Sequence, residues 1–83
     1  MTKADQPKRP VKTIRSGPVK LAIWENETDK GKRYNVTAQR LYRDERGDWQ
    51  TTGGFNTADL AHLAFAAQRA EIWIHDQQED GDV

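Results

Sequence analysis

The most informative absences in this 83-residue chain are those of cysteine and of long apolar runs. Without cysteine, disulfides and cysteine-ligated metal sites are excluded. No apolar run approaches the ~20 residues that a membrane-spanning helix needs, and the N-terminus lacks the apolar core of a signal peptide. We therefore expect an intracellular protein in a reducing compartment, either cytoplasmic or nucleoid-associated.

Motifs that would indicate catalysis are also missing. The chain has no glycine-rich phosphate loop ending in Lys-Ser/Thr and no serine in a strained elbow motif. Its two histidines, His62 and His75, would point about 140° apart on a helix, so that they cannot share a metal ion within one chain. We expect a protein that is not an enzyme and that holds no metal or cofactor.

A strong net charge is absent as well, yet the charges are unevenly distributed. The 13 basic and 13 acidic residues sum to zero. The N-terminal residues 1–18 contain all three prolines and an excess of lysine and arginine, whereas residues 76–83 are acidic. The sequence therefore predicts a flexible basic arm at residues 1–18 and a disordered acidic tail at residues 76–83. That tail is a candidate docking peptide for a protein partner.

A continuous helical pattern runs over residues 57–75, with no glycine or proline inside it. Asn56 stands at the N-cap position with Asp59 three residues later, and Phe55 and Leu60 have the spacing of a hydrophobic staple. Placed at 100° per residue, the predicted main apolar face consists of Leu60, Leu63, Ala64, Ala67, Ala70 and Ile74. A second, narrower apolar stripe consists of Ala61, Phe65 and Ile72.

Alternation of apolar and polar residues predicts strands at residues 19–26, 33–43 and 49–52, and residues 11–15 offer a fourth. The alternation breaks at Arg40-Leu41-Tyr42, which either a bulge or strong strand twist would explain. A polar turn is predicted at residues 25–32 and a hairpin loop at residues 44–48. The predicted fold is α+β: a curved antiparallel sheet of three to four strands followed by one C-terminal helix (ββββα), spanning residues 19–75.

The small size of this unit favours a homodimer. A domain of about 60 residues buries only about 60% of its unfolded surface and is marginally stable alone. The chain has no disulfides to compensate, so dimerisation is the common remaining solution. The second helix stripe, Ala61, Phe65 and Ile72, is the predicted dimer interface.

The polar side of the predicted sheet combines cations with aromatic rings. Single-stranded nucleic acid is bound by this combination, because phosphates need cations and unstacked bases need a π-face. Two alternatives stay open: an ordinary solvated sheet face, and a protein-interaction module or small regulatory dimer that binds no nucleic acid. The candidate nucleic-acid-binding residues are Lys20, Trp24, Lys30, Lys32, Arg33, Arg40, Tyr42, Arg43 and Trp49.

The elements follow the order strand, Lys30-Gly31-Lys32, a strand ending in Leu41-Tyr42, an Asp-rich turn with Gly47, a short strand, glycine and helix. In this order the chain resembles the single-stranded-DNA-binding transcriptional coactivator family (positive cofactor four), whose fold is related to that of the Whirly proteins. The resemblance covers residues 19–75. It implies a curved four-stranded sheet, dimerisation partly through the helix, and single-stranded DNA as the preferred ligand over RNA.

The same resemblance suggests roles for individual residues. Lys30 and Lys32 would hold phosphates in the loop, Tyr42 would meet bases, and the basic arm would correspond to the family's charged N-terminal region. Gln39 stands about where the family carries a strand arginine. The expected function is single-strand binding with low sequence specificity, in an accessory role in transcription or replication.

Overall fold

The computed structural model describes residues 9–82, and the side chains of residues 9–78. Four strands are followed by a helix: β1 (Lys12–Ser16), β2 (Val19–Thr28), β3 (Gly31–Arg43), β4 (Trp49–Thr52) and α1 (Leu60–Asp82). A short 3-10 turn, Thr57–Asp59, leads into α1. The strands pair antiparallel in the order β1-β2-β3-β4, so that β1 and β4 are the two edges. The predicted ββββα fold is confirmed.

Tight turns join the first three strands. The β1–β2 turn has two residues, Gly17 and Pro18, between the paired Ser16 and Val19. Gly17 has φ +57°, a conformation that glycine adopts without steric cost at the first position of such a turn. The β2–β3 turn is only Asp29-Lys30, because pairing continues as far as Thr28 opposite Gly31. The predicted polar turn at residues 25–32 is therefore mostly strand.

The fold begins before the predicted boundary at residue 19. The fourth strand that residues 11–15 offered is present as β1, and its Ile14 is buried in the core. The seven-residue segment that the basic composition assigned to the arm is thus an edge strand and its turn. Only residues 1–8 of that arm lie outside the described residues. Pairing of β3 with β2 is unbroken up to Arg40, and pairing with β4 is unbroken from Arg40 to Arg43, so that no bulge interrupts either register there.

The core lies between α1 and one face of the sheet. Its fully or nearly buried members are Ile14, Val19, Leu21, Ile23, Ala66 and Ala70. Partly buried side chains that pack against it are Tyr34, Ala38, Phe55, Leu63, Trp73 and Ile74. The Tyr34 and Trp73 rings meet edge to face at 5.9 Å between centroids, a favourable aromatic geometry.

The face of α1 that packs on the sheet differs from the predicted main face. Leu63, Ala70 and Ile74 are in it as expected, but Leu60, Ala64 and Ala67 are exposed and Ala66 is fully buried. The helix is therefore rotated by roughly 70° from the predicted orientation, at 100° per residue. The rotation brings Trp73 onto Tyr34 and buries two alanines, Ala66 and Ala70, in the core.

The two ends of α1 are held differently. At the start, Asn56 N–H donates to Asp59 Oδ2 at 2.8 Å, and Asp59 N–H donates to the Asn56 carbonyl at 2.9 Å, which satisfies two groups at the predicted cap. At the other end the helix continues to Asp82 and includes most of the predicted tail, residues 76–83. Glutamine and glutamate sustain a helix without burial, and no breaker precedes Gly81.

Candidate nucleic-acid interface

The sheet has two chemically different faces, and the pairing register assigns each strand residue to one of them. Residues directly opposite each other share a face, and the faces alternate along each strand. One face packs against α1 and carries Val19, Leu21 and Ile23. We call the other the open face. Its central members on β2 and β3 are Lys20, Ala22, Trp24, Asn35, Thr37 and Gln39, which pair as Lys20–Gln39, Ala22–Thr37 and Trp24–Asn35.

The open face carries cations and no strand acid. Arg15 lies opposite Lys20, Arg33 lies opposite Asn26, and Arg43 lies opposite Trp49. The acidic residues of the strands, Glu25 and Glu27, are both on the α1 side. None of the ion pairs found within residues 9–78 involves these four open-face cations. Their charge is therefore uncompensated by neighbours on the sheet.

Trp24 is a fixed aromatic platform on this face. Its indole Nε1–H donates to the Thr37 hydroxyl at 3.0 Å across the β2–β3 pair. The bond fixes the ring against the sheet and uses the only polar group of the side chain. What the half-buried indole still offers a ligand is its π-surface.

Trp49 is the second aromatic on the open face, and it is 64% exposed. The guanidinium carbon of Arg43 lies 5.1 Å from the centre of its ring, which is within the range of a cation–π interaction. A positive charge and a large flat apolar surface are thus held side by side at the β3–β4 edge. This arrangement suits a base together with its phosphate.

Four of the nine candidate residues do not lie on the open face. Lys32, Arg40 and Tyr42 lie on the α1 side, because they are an even number of residues from Ala38 along β3 and so share its face. Lys30 lies in the β2–β3 turn. The single polar face that the sequence predicted for all nine is therefore wrong for these residues. The structure brings together Lys20, Trp24, Arg33, Arg43 and Trp49.

Two cations of β3 on the α1 side are engaged with acids. Lys32 Nζ lies 3.1 Å from Glu25 Oε2, and the hydrogen bond and charge of Glu25 raise the pKa of Lys32 above its ordinary value. Arg40 Nε lies 3.1 Å from Asp59 Oδ2 and also donates to the Gly54 carbonyl at 3.1 Å. These contacts tie β3 to its neighbour strand and to the helix start. Both side chains have acidic partners, which the open-face cations lack within residues 9–78.

Arg15 is an open-face cation that the sequence interpretation placed in the flexible arm. It belongs to the face because Gly17-Pro18 forms a two-residue turn that aligns Arg15 with Lys20. A glycine followed by a single residue between two alternating segments is the signal that would have identified this hairpin.

The outer side of α1 carries an apolar stripe in the positions predicted. Ala61, Phe65 and Ile72 are all exposed, the two large side chains by 50% and 60%. Arg69 lies on the same side, with its guanidinium carbon 5.7 Å from the Phe65 ring. Phe65 and Ile72 are about two helical turns apart on the same exposed side of α1. A protein–protein interface would explain two large apolar side chains in such positions.

Comparison with models of protein families, with curated proteins and with solved structures gives no match to this chain. Among the described residues, no group of histidine and acidic side chains is arranged to hold a metal ion. No helix in residues 9–82 is long and apolar enough to cross a membrane.

Proposed function

We propose that this protein binds single-stranded nucleic acid on the open face of its sheet, without catalysis. The observation that carries the proposal is the segregation of charge between the two faces. Four cations and two tryptophans share a face that has no strand acid, while two cations of the other face, Lys32 and Arg40, are paired with Glu25 and Asp59. Cations without acidic partners attract a polyanion, and the tryptophans beside them offer its bases a surface on which to stack.

The binding mode follows from the residues available. Lysine and arginine attract phosphates independently of sequence, and stacking on tryptophan is open to every base. Both kinds of contact are independent of base identity, so that we expect sequence specificity to be low. The resemblance to the coactivator family favours DNA over RNA and an accessory role in transcription or replication.

A titration of intrinsic tryptophan fluorescence with oligo-dT, duplex DNA and poly-U tests this proposal. We expect oligo-dT to bind more tightly than the duplex. Lys20→Ala should weaken binding and reduce the dependence of log Kd on log salt by about 0.7, the contribution of one phosphate contact on a single strand. Lys32→Ala is the matched control, since it removes the same charge from the other face. Equal effects of the two substitutions, or a dissociation constant weaker than about 100 µM at low salt, would refute the proposal.

We further propose that the protein is a homodimer through the outer helix stripe. Arg69 and Asp76 lie three and four residues on either side of Ile72 on this side of α1. In an antiparallel pair of helices centred near Ile72, each Arg69 would face Asp76 of the other copy, and the two Ile72 side chains would meet. The segment from Arg69 to Asp76 is thus self-complementary around Ile72, as a two-fold interface requires.

Sedimentation at micromolar concentration tests the dimer. The mass should be about twice the 9.5 kDa of the chain. Arg69→Asp and Asp76→Arg should each weaken association, and the double exchange should restore it because the pair is then reversed rather than broken. A monomer at all accessible concentrations would instead favour the alternative function, a module whose apolar stripe docks a different protein.

A further inference from the structure

Two tryptophans on one face are far enough apart to act as separate stacking stations. Trp24 is opposite Asn35 and Trp49 is opposite Arg43, so that the stations are separated by eight residues along β3. At a rise of about 3.3 Å per residue this is roughly 26 Å. The distance equals about eight nucleotides at the ~3.4 Å rise of a stacked strand, and fewer nucleotides if the strand is drawn out.

We propose that a single strand lies lengthwise along β3 and places bases on both tryptophans at once, an inference that rests on the proposed function. Cations mark both ends of this path: Arg33 lies two residues from Asn35, and Arg43 contacts Trp49. Between the ends, Thr37, Gln39 and Leu41 carry no charge. Lys20 and Arg15 flank this middle section on the β1 side, where they can follow the phosphate backbone.

Because the two tryptophans are far apart, only a strand above a minimum length can contact both of them. A mononucleotide or a very short oligonucleotide reaches only one station. A strand that spans both stations binds more tightly, because its second stacking contact is intramolecular. The effective concentration of that contact is set by the few nucleotides that join the two bases. Trp24 and Trp49 are then the residues that select long single strands over short ones.

Oligo-dT of about 4 and about 12 nucleotides distinguishes one station from two. On the longer strand, Trp24→Ala and Trp49→Ala should each weaken binding by roughly 5- to 150-fold, the stacking contribution of one base. On the shorter strand, each single substitution should weaken binding by no more than about twofold if the stations are comparable, because the remaining station still binds it. The double variant should lose most affinity for both.

Two controls keep the result interpretable. Tyr42→Ala removes an exposed aromatic from the α1 side and should leave both affinities unchanged. Trp24→Phe, which keeps a ring if the half-buried position does not tolerate alanine, should show the same length dependence with a smaller effect. Equal penalties on short and long strands would overturn the two-station inference while leaving the proposed function intact. Failure of every oligonucleotide to bind would overturn the proposed function itself.

Discussion

At the scale of single residues, the buried carboxylate of Asp59 links the start of the helix to β3. It is 6% exposed, accepts the Asn56 N–H and lies 3.1 Å from Arg40 Nε. One side chain therefore caps the helix and holds it to β3. Asp59→Asn keeps the shape but removes the charge that both contacts depend on, and should lower the free energy of unfolding by about 2 kcal/mol.

Urea denaturation measures this effect directly. Asp48→Asn is the matched control because its side chain is exposed, and it should change the free energy of unfolding by less than about 0.5 kcal/mol. If the two variants unfold at the same urea concentration, the Asp59 contacts contribute nothing to stability.

Asp44 gives a residue-scale prediction for pH. The backbone N–H of Asp48 donates to Asp44 Oδ1 at 2.9 Å, Gln50 Nε2 donates to Oδ2 at 3.0 Å, and these bonds lower the pKa of Asp44 below its ordinary value. The stability it contributes is present above the ordinary value of 3.8 and is lost as the pH falls through the lowered pKa. Asp44→Asn should therefore reduce the melting temperature at neutral pH. The difference from the unsubstituted protein should shrink towards zero as the pH falls below the lowered pKa, and a difference that stays constant with pH would contradict this.

At the scale of elements, the β1–β2 turn and α1 fit closely at Gly17. A Cβ added there would lie 2.7 Å from the His62 ring, and φ is +57°. A 2.9 Å hydrogen bond also joins the Ser16 hydroxyl to His62 Nδ1. Gly17→Ala should cost about 1–2 kcal/mol for the backbone conformation alone and more for the displaced ring. Gly53→Ala, where no atom lies within 4 Å of the added Cβ, is the control in thermal unfolding.

The double variant separates the two causes. In a His62→Ala background the ring is gone, so that Gly17→Ala should cost only the backbone contribution. An equal cost in both backgrounds would show that the ring moves aside freely.

How much of each element the sequence predicts depends on whether its signal is local. The alternation of Val19, Leu21 and Ile23 predicts β2 correctly, because a strand buried on one face has apolar residues at every second position. The rotation of α1 was not predictable in the same way, since alanines fit either a contact or a solvent position. What decides between them is the contact of Trp73 with Tyr34, which lies on another element.

At the scale of the whole molecule, the candidate site also combines features that have a local signal in the sequence with features that depend on other elements. Side-chain chemistry alone identifies the candidate residues, and it does not distinguish Lys32 from Arg33. Strand parity does, because Lys32 and Ala38 share one face of β3 while Arg33 and Thr37 share the other. The sequence therefore contained the information that divides the set, whereas the alignment of Arg15 with Lys20 required the register of a hairpin.

The distribution of charge over the whole chain gives the last prediction. Residues 1–9 contribute Lys3, Lys8 and Arg9 against Asp5, and residues 79–83 contribute Glu79, Asp80 and Asp82. Deletion of residues 1–18 would remove β1, so that the informative truncation ends at residue 9. It should weaken oligo-dT binding, and deletion of residues 79–83 should tighten it. Both effects should shrink as salt rises, because screening and counterion release weaken each charge contact.

Stacking on tryptophan should respond differently to the same salt series. A Trp49→Ala penalty should remain nearly constant, since a base-stacking contact releases no counterions. Fluorescence titrations of the three variants at low and high salt therefore separate the electrostatic contribution of the ends from the aromatic contribution of the open face. If both truncations leave the affinity unchanged at low salt, the charged ends take no part in binding, and the acidic segment is better tested as a docking peptide for another protein.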